Sequence, residues 1–128
     1  MSSYPTDLRY TSDHEWLRSA GTTCRVGITQ FAVDQLGDIT LVELPKVGDH
    51  VKKGEKFGTV ESVKSVSDLY APVSGKVTAV NASLKDSPEH VNSEPYAAGW
   101  MIEIEPSKKA ELDELLSPDG YTKHVAAQ

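Results

Sequence analysis

The sequence predicts a mainly β protein in which two small sheets pack as a flattened barrel or sandwich. Three observations support this fold class. Short runs that alternate polar and apolar residues recur between Val47 and Ile104, as strands do. Turn-forming residues separate these runs, namely Gly48, Gly54, Pro72, Gly75 and Pro88. Helical spacing of apolar residues is confined to one short segment before the strand-rich part and one after it.

The first third of the chain predicts a hairpin, a short helix and a strand. Residues 16–28 contain two strand-like runs, broken at a plausible tight turn at 20–21. Residues 29–36 predict a helix, because Thr29 can cap its start, apolar residues recur at helical spacing and a glycine follows. Residues 38–44 alternate polar with apolar residues and predict a half-buried strand.

The rest of the chain predicts a β core followed by a helix. We place the core β module at about residues 38–105, where a faint internal repeat suggests two similar half-sheets folded on each other. Residues 107–116 predict an amphipathic C-terminal helix with a serine cap, and the turn-forming residues 117–120 are expected to end it. All 128 residues are predicted to form a single domain.

Composition restricts the partners and the compartment. A formal net charge of −6 argues against nucleic acid, because phosphate binding needs clustered Lys and Arg. Cys24 is the only cysteine, which excludes an internal disulfide and two-cysteine zinc motifs and favours a reducing compartment. The N-terminus has no recognisable targeting signal, and no apolar stretch is long enough to span a membrane. We therefore expect a soluble protein without a membrane partner.

The segment with the clearest functional signal is residues 58–75. It places one lysine, Lys64, between two strand-like runs. If those runs pair, Lys64 lies near the tip of a hairpin, where a modifying enzyme and later partners can reach its amine. An isolated hairpin lysine is usually only a solvated charge that protects a sheet edge. The residues around Lys64 decide between these interpretations.

Those residues resemble the lipoyl-attachment segment of glycine cleavage H proteins. Glu-Ser-Val-Lys-Ser at 61–65 and Ala-Pro-Val-Ser-Gly at 71–75 carry the resemblance. Further similar stretches cover nearly the whole chain: Asp13-His14-Glu15-Trp16, Gly27-Ile28-Thr29, Leu36-Gly37-Asp38, Leu44-Pro45, Val47-Gly48, Val91-Asn92-Ser93-Glu94-Pro95-Tyr96 and Gly99-Trp100-Met101-Ile102. Each is weak alone, but their order and spacing are specific. The fold implied is the barrel-sandwich hybrid of lipoyl domains, with a short helix in the N-terminal half and a C-terminal helix.

The resemblance implies a carrier and not an enzyme. Lipoic acid would be amide-linked to Lys64, and Glu61 would be part of what the lipoate-attaching enzyme recognises. The carrier would accept an aminomethyl group from the pyridoxal-phosphate glycine decarboxylase, the P protein, and deliver it to the tetrahydrofolate-dependent aminomethyltransferase, the T protein. Dihydrolipoyl dehydrogenase, the L protein, would then reoxidise it. We expect a monomer in the bacterial cytoplasm, although a mature mitochondrial form would fit the same sequence.

Other carrier functions are alternatives to this one. A lipoate-relay scaffold that donates lipoyl groups to other lipoyl proteins is the alternative, and the sequence does not separate the two roles. Biotin acceptors resemble Met-Lys-Met, and oxoacid-dehydrogenase lipoyl domains usually show Asp-Lys-Ala. This chain has Val63-Lys64-Ser65, which favours an H protein.

A cleft for the loaded arm is a further hypothesis. Because the load is prone to hydrolysis, a carrier would gain from a surface cleft that excludes water. We expect Glu15 and Asp68, with Thr29, to line this cleft and to bind the protonated amine of the load through charge-assisted hydrogen bonds. The alternative is that Glu15 and Asp68 are ordinary carboxylates at strand ends.

We expect no catalytic or metal site. Cys24 and His14 resemble a nucleophile and base only superficially, because Cys24 lies in an alternating strand that buries it and no third group orients the pair. Trp16 and Trp100 are expected to anchor the core. The remaining histidines lack His or Cys companions at metal-ligand spacing and are expected to face solvent. They are His50, His90 and His124.

Overall fold

The computed structural model describes residues 4–127 and contains two antiparallel sheets with short helices around them. The described strands are β1 (Arg9–Tyr10), β2 (Glu15–Ala20), β3 (Thr23–Ile28), β4 (Ile39–Glu43), β5 (His50–Val51), β6 (Lys56–Ser62), β7 (Val66–Tyr70), β8 (Gly75–Val80) and β9 (Ile102–Pro106). The helices are α1 (Gln30–Leu36), α2 (Ser83–Asp86), α3 (His90–Ser93), a 3-10 helix (Lys109–Glu114) and α4 (Pro118–Ala126). In this part of the chain, no helix has both the length and the apolar character needed to cross a membrane.

The strand order confirms the predicted mainly β, two-sheet fold. The larger sheet runs β1-β2-β3-β9-β8-β5 and the smaller one β4-β6-β7. The predicted N-terminal hairpin is formed by β2 and β3, and its turn contains Gly21 at a φ of 72°. This hairpin joins the larger sheet through β9, where Val26 lies opposite Ile102. The sheets are therefore unequal, and residues 38–105 share the larger sheet with residues 9–28.

Apolar side chains of both sheets meet in one core. Val26, Ile102 and Ile104 of the larger sheet are 0% exposed, and Val60 and Leu69 of the smaller sheet are 1% and 2% exposed. Ile102 and Ile104 are two positions apart, so they point to the same face of their strand. Burying each such side chain contributes roughly 1.5–3 kcal/mol before the entropy cost of ordering it.

A second apolar cluster joins the N-terminal segment to α4. Its buried members are Tyr4, Leu8, Tyr10, Trp16 and Tyr121. Trp16 is a core anchor as expected, with its indole N–H donating to the Pro95 carbonyl at 2.9 Å. A Cβ added to Gly27 would lie 2.6 Å from the Trp16 ring, so glycine permits this packing. Trp100 is only half-buried, and the Arg25 guanidinium covers it at 4.6 Å from the ring centroid, so it anchors the core less than expected.

The helix predicted at residues 29–36 is confirmed as α1. Thr29 is its N-cap, and the Thr29 hydroxyl accepts a backbone N–H of the first turn at 3.3 Å. Gly37 ends the helix at a φ of 78°, a left-handed conformation that favours glycine, and donates its N–H to the Val33 carbonyl at 2.9 Å.

The C-terminal end corrects the sequence prediction. The amphipathic helix predicted at residues 107–116 is a 3-10 helix over Lys109–Glu114, and residues 117–120, predicted to end it, begin α4. Ser117 caps α4 by accepting a backbone N–H of the first turn at 3.1 Å. Pro118 occupies the first turn, where its missing N–H has no helical partner to lose. Residues 117–120 therefore begin a helix and do not end one.

Candidate functional site

Lys64 lies at the tip of the hairpin formed by β6 and β7, where the sequence predicts it. Glu61 lies opposite Val66 as the pair nearest the turn, and residues 63–65 connect the two strands. The Lys64 side chain is exposed. Its amine is therefore accessible to another protein.

The side chain of Ser62 closes the turn around Lys64. The Ser62 hydroxyl oxygen accepts the backbone N–H groups of Lys64 at 3.2 Å and Ser65 at 3.1 Å. The Ser62 N–H donates to the Ser65 carbonyl at 2.8 Å. Such local bonds from serine to the backbone stabilise turns. The backbone on both sides of Lys64 is held while its side chain stays exposed.

The tip also contacts the loop between α1 and β4. Val63 donates its N–H to the Asp38 carbonyl at 3.0 Å. The aliphatic part of Lys64 lies beside Gly37, since a Cβ added to Gly37 would be 3.3 Å from Lys64 Cε. A larger residue at position 37 would both strain the backbone and press on the lysine.

Exposed apolar side chains flank Lys64. Val63 and Val66 are 68% and 64% exposed, and Leu41 of β4 is 38% exposed. In the register of the smaller sheet, Leu41 and Val66 lie on opposite sides of Glu61. Large exposed apolar side chains grouped in this way are typical of a surface that a partner covers. Glu61 adds one negative charge at the centre of that surface.

A groove of about 280 Å³ lies between α1, the loop before β2 and the start of β7. It is lined by Asp13, His14, Phe31, Ala32, Gln35, Leu36 and Ser67. Ser67 follows Lys64 by three positions, and Leu36 precedes the glycine beside which Lys64 lies, so the groove is close to the hairpin tip. Its lining combines apolar side chains of α1 with polar side chains from α1, the loop before β2 and β7. This lining suits a long apolar chain with a polar end.

Glu15 is buried and lies two residues after Asp13, which lines this groove. Its side chain is 2% exposed, accepts the Thr11 hydroxyl at 2.6 Å and lies 3.5 Å from the backbone N–H of Tyr70. Burial is the main cause that raises the pKa of the Glu15 carboxyl to about 8; the hydrogen bond from Thr11 opposes the rise, and the nearby Asp13 contributes to it. Glu15 is therefore largely protonated at neutral pH.

Thr29 is also buried, and its hydroxyl belongs to a hydrogen-bonded chain. The Thr29 Oγ1 lies 2.7 Å from the Tyr121 hydroxyl, which lies 2.8 Å from Nδ1 of His14. The His14 carbonyl accepts the Thr29 N–H at 3.0 Å, and His14 has a φ of 72°. This chain ties α4 to the start of α1. The sequence does not single out Tyr121, because it lies in a segment predicted to follow the last helix.

Asp68 is exposed on β7, at the edge of the smaller sheet. Its Oδ1 lies 3.4 Å from Nζ of Lys56. The structure brings Glu15 and Thr29 together at one end of the β2–β3 hairpin, where Glu15 lies opposite Ile28. The Asp68 side chain is instead paired with Lys56. A cleft shared by Glu15, Thr29 and Asp68 stays a prediction.

The residues considered for catalysis or metal binding are dispersed. Cys24 is 3% exposed, and burial raises the pKa of its thiol, whereas His14 lies in the chain around Tyr121. Over residues 4–127, no cluster of three or more His, Cys, Asp or Glu is placed to hold a metal ion. His50 is exposed as expected, but His90 and His124 are half-buried.

The fold and the site together define a class of protein. It is a small two-sheet β module that presents one lysine at the tip of an exposed hairpin, beside a partly apolar groove. An exposed lysine in such a position is suited to covalent attachment of a group that other proteins act on.

Comparison with known proteins identifies the family. Residues 8–128 match the family described as glycine cleavage H-protein. The chain is 52% identical to the glycine cleavage system H protein of Halalkalibacterium halodurans over 128 residues, which is 100% of both chains. It is 56% identical over 123 residues to that of Carboxydothermus hydrogenoformans, covering 96% of this chain and 95% of the relative.

A solved structure agrees with this assignment. The crystal structure of a glycine cleavage system H protein from Mycobacterium marinum matches with a TM-score of 0.89 and 43% identity, covering 96% of this chain and 99% of that one. The chain therefore belongs to the glycine cleavage H-protein family, as the resemblance in the sequence indicates.

Proposed function

We propose that this chain is the lipoyl carrier of a glycine cleavage system and that the lipoyl group is amide-linked to Lys64. The observation that carries the proposal is the position of Lys64, exposed at the tip of the β6–β7 hairpin. Membership of the H-protein family supports the choice of group and pathway. The relatives named above include bacterial proteins, and we place this chain in the bacterial cytoplasm.

The surroundings of Lys64 fit an attached lipoyl group. When bound, this group supplies a strained cyclic disulfide that a nucleophile opens easily. Amide formation removes the positive charge of the lysine. None of the ion pairs found within residues 4–127 uses Lys64, so acylation breaks no salt bridge described there. The apolar side chains of Val63 and Val66 then flank an uncharged, apolar arm.

The attaching enzyme must act on the amine of Lys64 and so must cover the hairpin tip. We propose that Glu61 is part of what this enzyme recognises. Glu61 is half-buried within the ladder, three residues before Lys64, with an apolar side chain opposite it on each neighbouring strand. A cationic group of the enzyme that pairs with Glu61 would orient the turn towards its catalytic site.

In the proposed cycle the carrier serves three enzymes. It accepts the aminomethyl group at the P protein, delivers it to the T protein for transfer to tetrahydrofolate, and is reoxidised by the L protein. The chain contributes position and not catalysis. Tethering keeps the load on one macromolecule and raises its effective concentration in each docked complex.

We also propose that the groove beside α1 holds the loaded arm between visits. Asp13 lines both this groove and a second cavity, of about 240 Å³, that Glu15 borders. A protonated amine would therefore reach Asp13 first, with Glu15 behind it. The approaching positive charge would lower the raised pKa of Glu15 and favour its ionised form. Thr29 would hold the start of α1, and Asp68 would add a negative charge on β7.

The first experiment tests the attachment site. The full-length protein is incubated with a lipoate ligase, lipoate and ATP and is then analysed by intact mass and peptide mapping. We expect one lipoyl increment, located on Lys64, and no increment for Lys64→Arg. Lys76→Arg is the matched control, because Lys76 is also exposed but lies on β8 of the larger sheet and not in the hairpin turn. An increment scattered over several lysines would refute the proposal.

The second experiment tests the resting groove. The loaded carrier is prepared as wild type and as the double variant Glu15→Gln, Asp68→Asn, and hydrolysis of the load is followed over time. We expect faster hydrolysis in the variant, because two carboxylates no longer bind the amine. Equal rates would remove Glu15 and Asp68 from the proposed cleft.

A further inference from the structure

Hydrogen bonds connect the side chain of Asn92 to the hairpin tip through the backbone of residues 37–39. Asn92 lies on α3 and is half-buried. Its Oδ1 accepts the backbone N–H of Ile39 at 2.9 Å, and its Nδ2 donates to the Gly37 carbonyl at 2.9 Å. The two bonds therefore hold the residues on both sides of Asp38, whose carbonyl accepts the Val63 N–H.

These bonds act on the open edge of the smaller sheet. Its strand order places β4 at one edge, so one side of β4 has no neighbouring strand. A side-chain amide presents one acceptor and one donor group, as a strand backbone does, and can satisfy such an edge. On the other side of β4, Ile39 lies opposite Ser62, the residue that closes the turn around Lys64.

We propose that Asn92 is a positioning residue for Lys64. It fixes residues 37–39, and this segment provides both supports of the hairpin tip. The first support is the 3.0 Å bond from the Val63 N–H to the Asp38 carbonyl. The second is Gly37, beside which the Lys64 stem lies, since a Cβ added there would be 3.3 Å from Lys64 Cε. Without the Asn92 side-chain amide, residues 37–39 lose the hydrogen bonds to the Ile39 N–H and the Gly37 carbonyl. The hairpin tip then loses a fixed support.

The chain offers a matched control for this proposal. Asn81 is also an asparagine whose Nδ2 holds backbone carbonyls, those of Ala98 at 2.8 Å and Trp100 at 2.7 Å. These contacts do not involve residues 37–39, which connect Asn92 to the hairpin tip. Asn81→Ala should therefore reproduce a general loss of stability without disturbing the hairpin tip.

The structural readout is hydrogen exchange of the Val63 amide, measured by NMR on the unmodified full-length protein. For Asn92→Ala we expect this amide to exchange about tenfold faster relative to the Val26 amide of the core strand β3. For Asn81→Ala we expect the ratio of the two exchange rates to stay at the wild-type value. Equal ratios in both variants would overturn the proposal.

The kinetic readout rests on the proposed function and uses a lipoate ligase, with the protein as the varied substrate. We expect kcat/KM to fall about tenfold for Asn92→Ala and to stay within about twofold of wild type for Asn81→Ala. Asn92→Asp should not restore the activity lost in Asn92→Ala, because its second carboxylate oxygen would face the Gly37 carbonyl to which Asn92 Nδ2 donates, and two acceptors repel each other. Equal losses in Asn92→Ala and Asn81→Ala would refute a positioning role. A wild-type chain that the ligase does not modify would refute the proposed function instead, and the exchange ratio would still decide the role of Asn92.

Discussion

The buried carboxyl of Glu15 should make the stability of this protein depend on pH in an unusual direction. The test is Glu15→Gln, which nearly preserves the shape of the side chain but cannot ionise. The glutamine can still accept the Thr11 hydroxyl, as Glu15 does at 2.6 Å. Its amide group would face the Tyr70 N–H, which lies 3.5 Å from Glu15 Oε2, and this unfavourable contact adds a cost that does not vary with pH.

The sign follows from which state binds the proton more tightly. The carboxyl has an ordinary pKa of 4.5, and burial in the folded protein raises it to about 8. Between these values the folded state keeps a proton that the unfolded state has released, so this group favours folding most below pH 4.5 and progressively less as the pH rises towards 8. At about 1.36 kcal/mol per pH unit, the loss over this range is at most about 5 kcal/mol.

The assay is urea unfolding at pH 5, 7 and 9, followed by tryptophan fluorescence. We expect Glu15→Gln to gain stability relative to wild type as the pH rises, with most of the change between pH 5 and 8. Asp68→Asn is the control, because it also removes a carboxylate but from an exposed position. A constant difference between Glu15→Gln and wild type at all three pH values would refute the assigned pKa and its cause.

Two further predictions concern packing and the hydrogen-bonded chain to α4. Gly27→Ala would bring a Cβ to 2.6 Å from the Trp16 ring, and we expect this overpacking to cost about 1–3 kcal/mol, measured as a lower Tm; an unchanged Tm would mean that the ring moves aside without cost. Tyr121→Phe removes the hydroxyl between His14 and Thr29, and we expect a loss of about 1–2 kcal/mol with faster amide exchange at the start of α1. Wild-type exchange there would show that the hydroxyl does not hold the helix.

Much of the site was predictable because its signals are local. The Lys64 hairpin depends on two runs that pair with their immediate neighbours in the chain, and α1 depends on Thr29 at its start and Gly37 at its end. The prediction of the C-terminal helix failed where two local signals conflict. Leucines at helical spacing favour residues 107–116, but Ser117 followed by proline favours a helix start, and burial of the Tyr121 side chain accompanies the second choice.

The sequence by itself determined the two-sheet β fold, the short helix before it, and the position of Lys64 at the tip of a hairpin. Only the tertiary structure decided the environment of Glu15, the pairing of Asp68 with Lys56, and the link from Asn92 to the hairpin tip. The physical reason is distance along the chain. Turns and caps form between residues a few positions apart, whereas burial of a carboxyl and support of a loop by a residue 53 positions away depend on how separate elements pack.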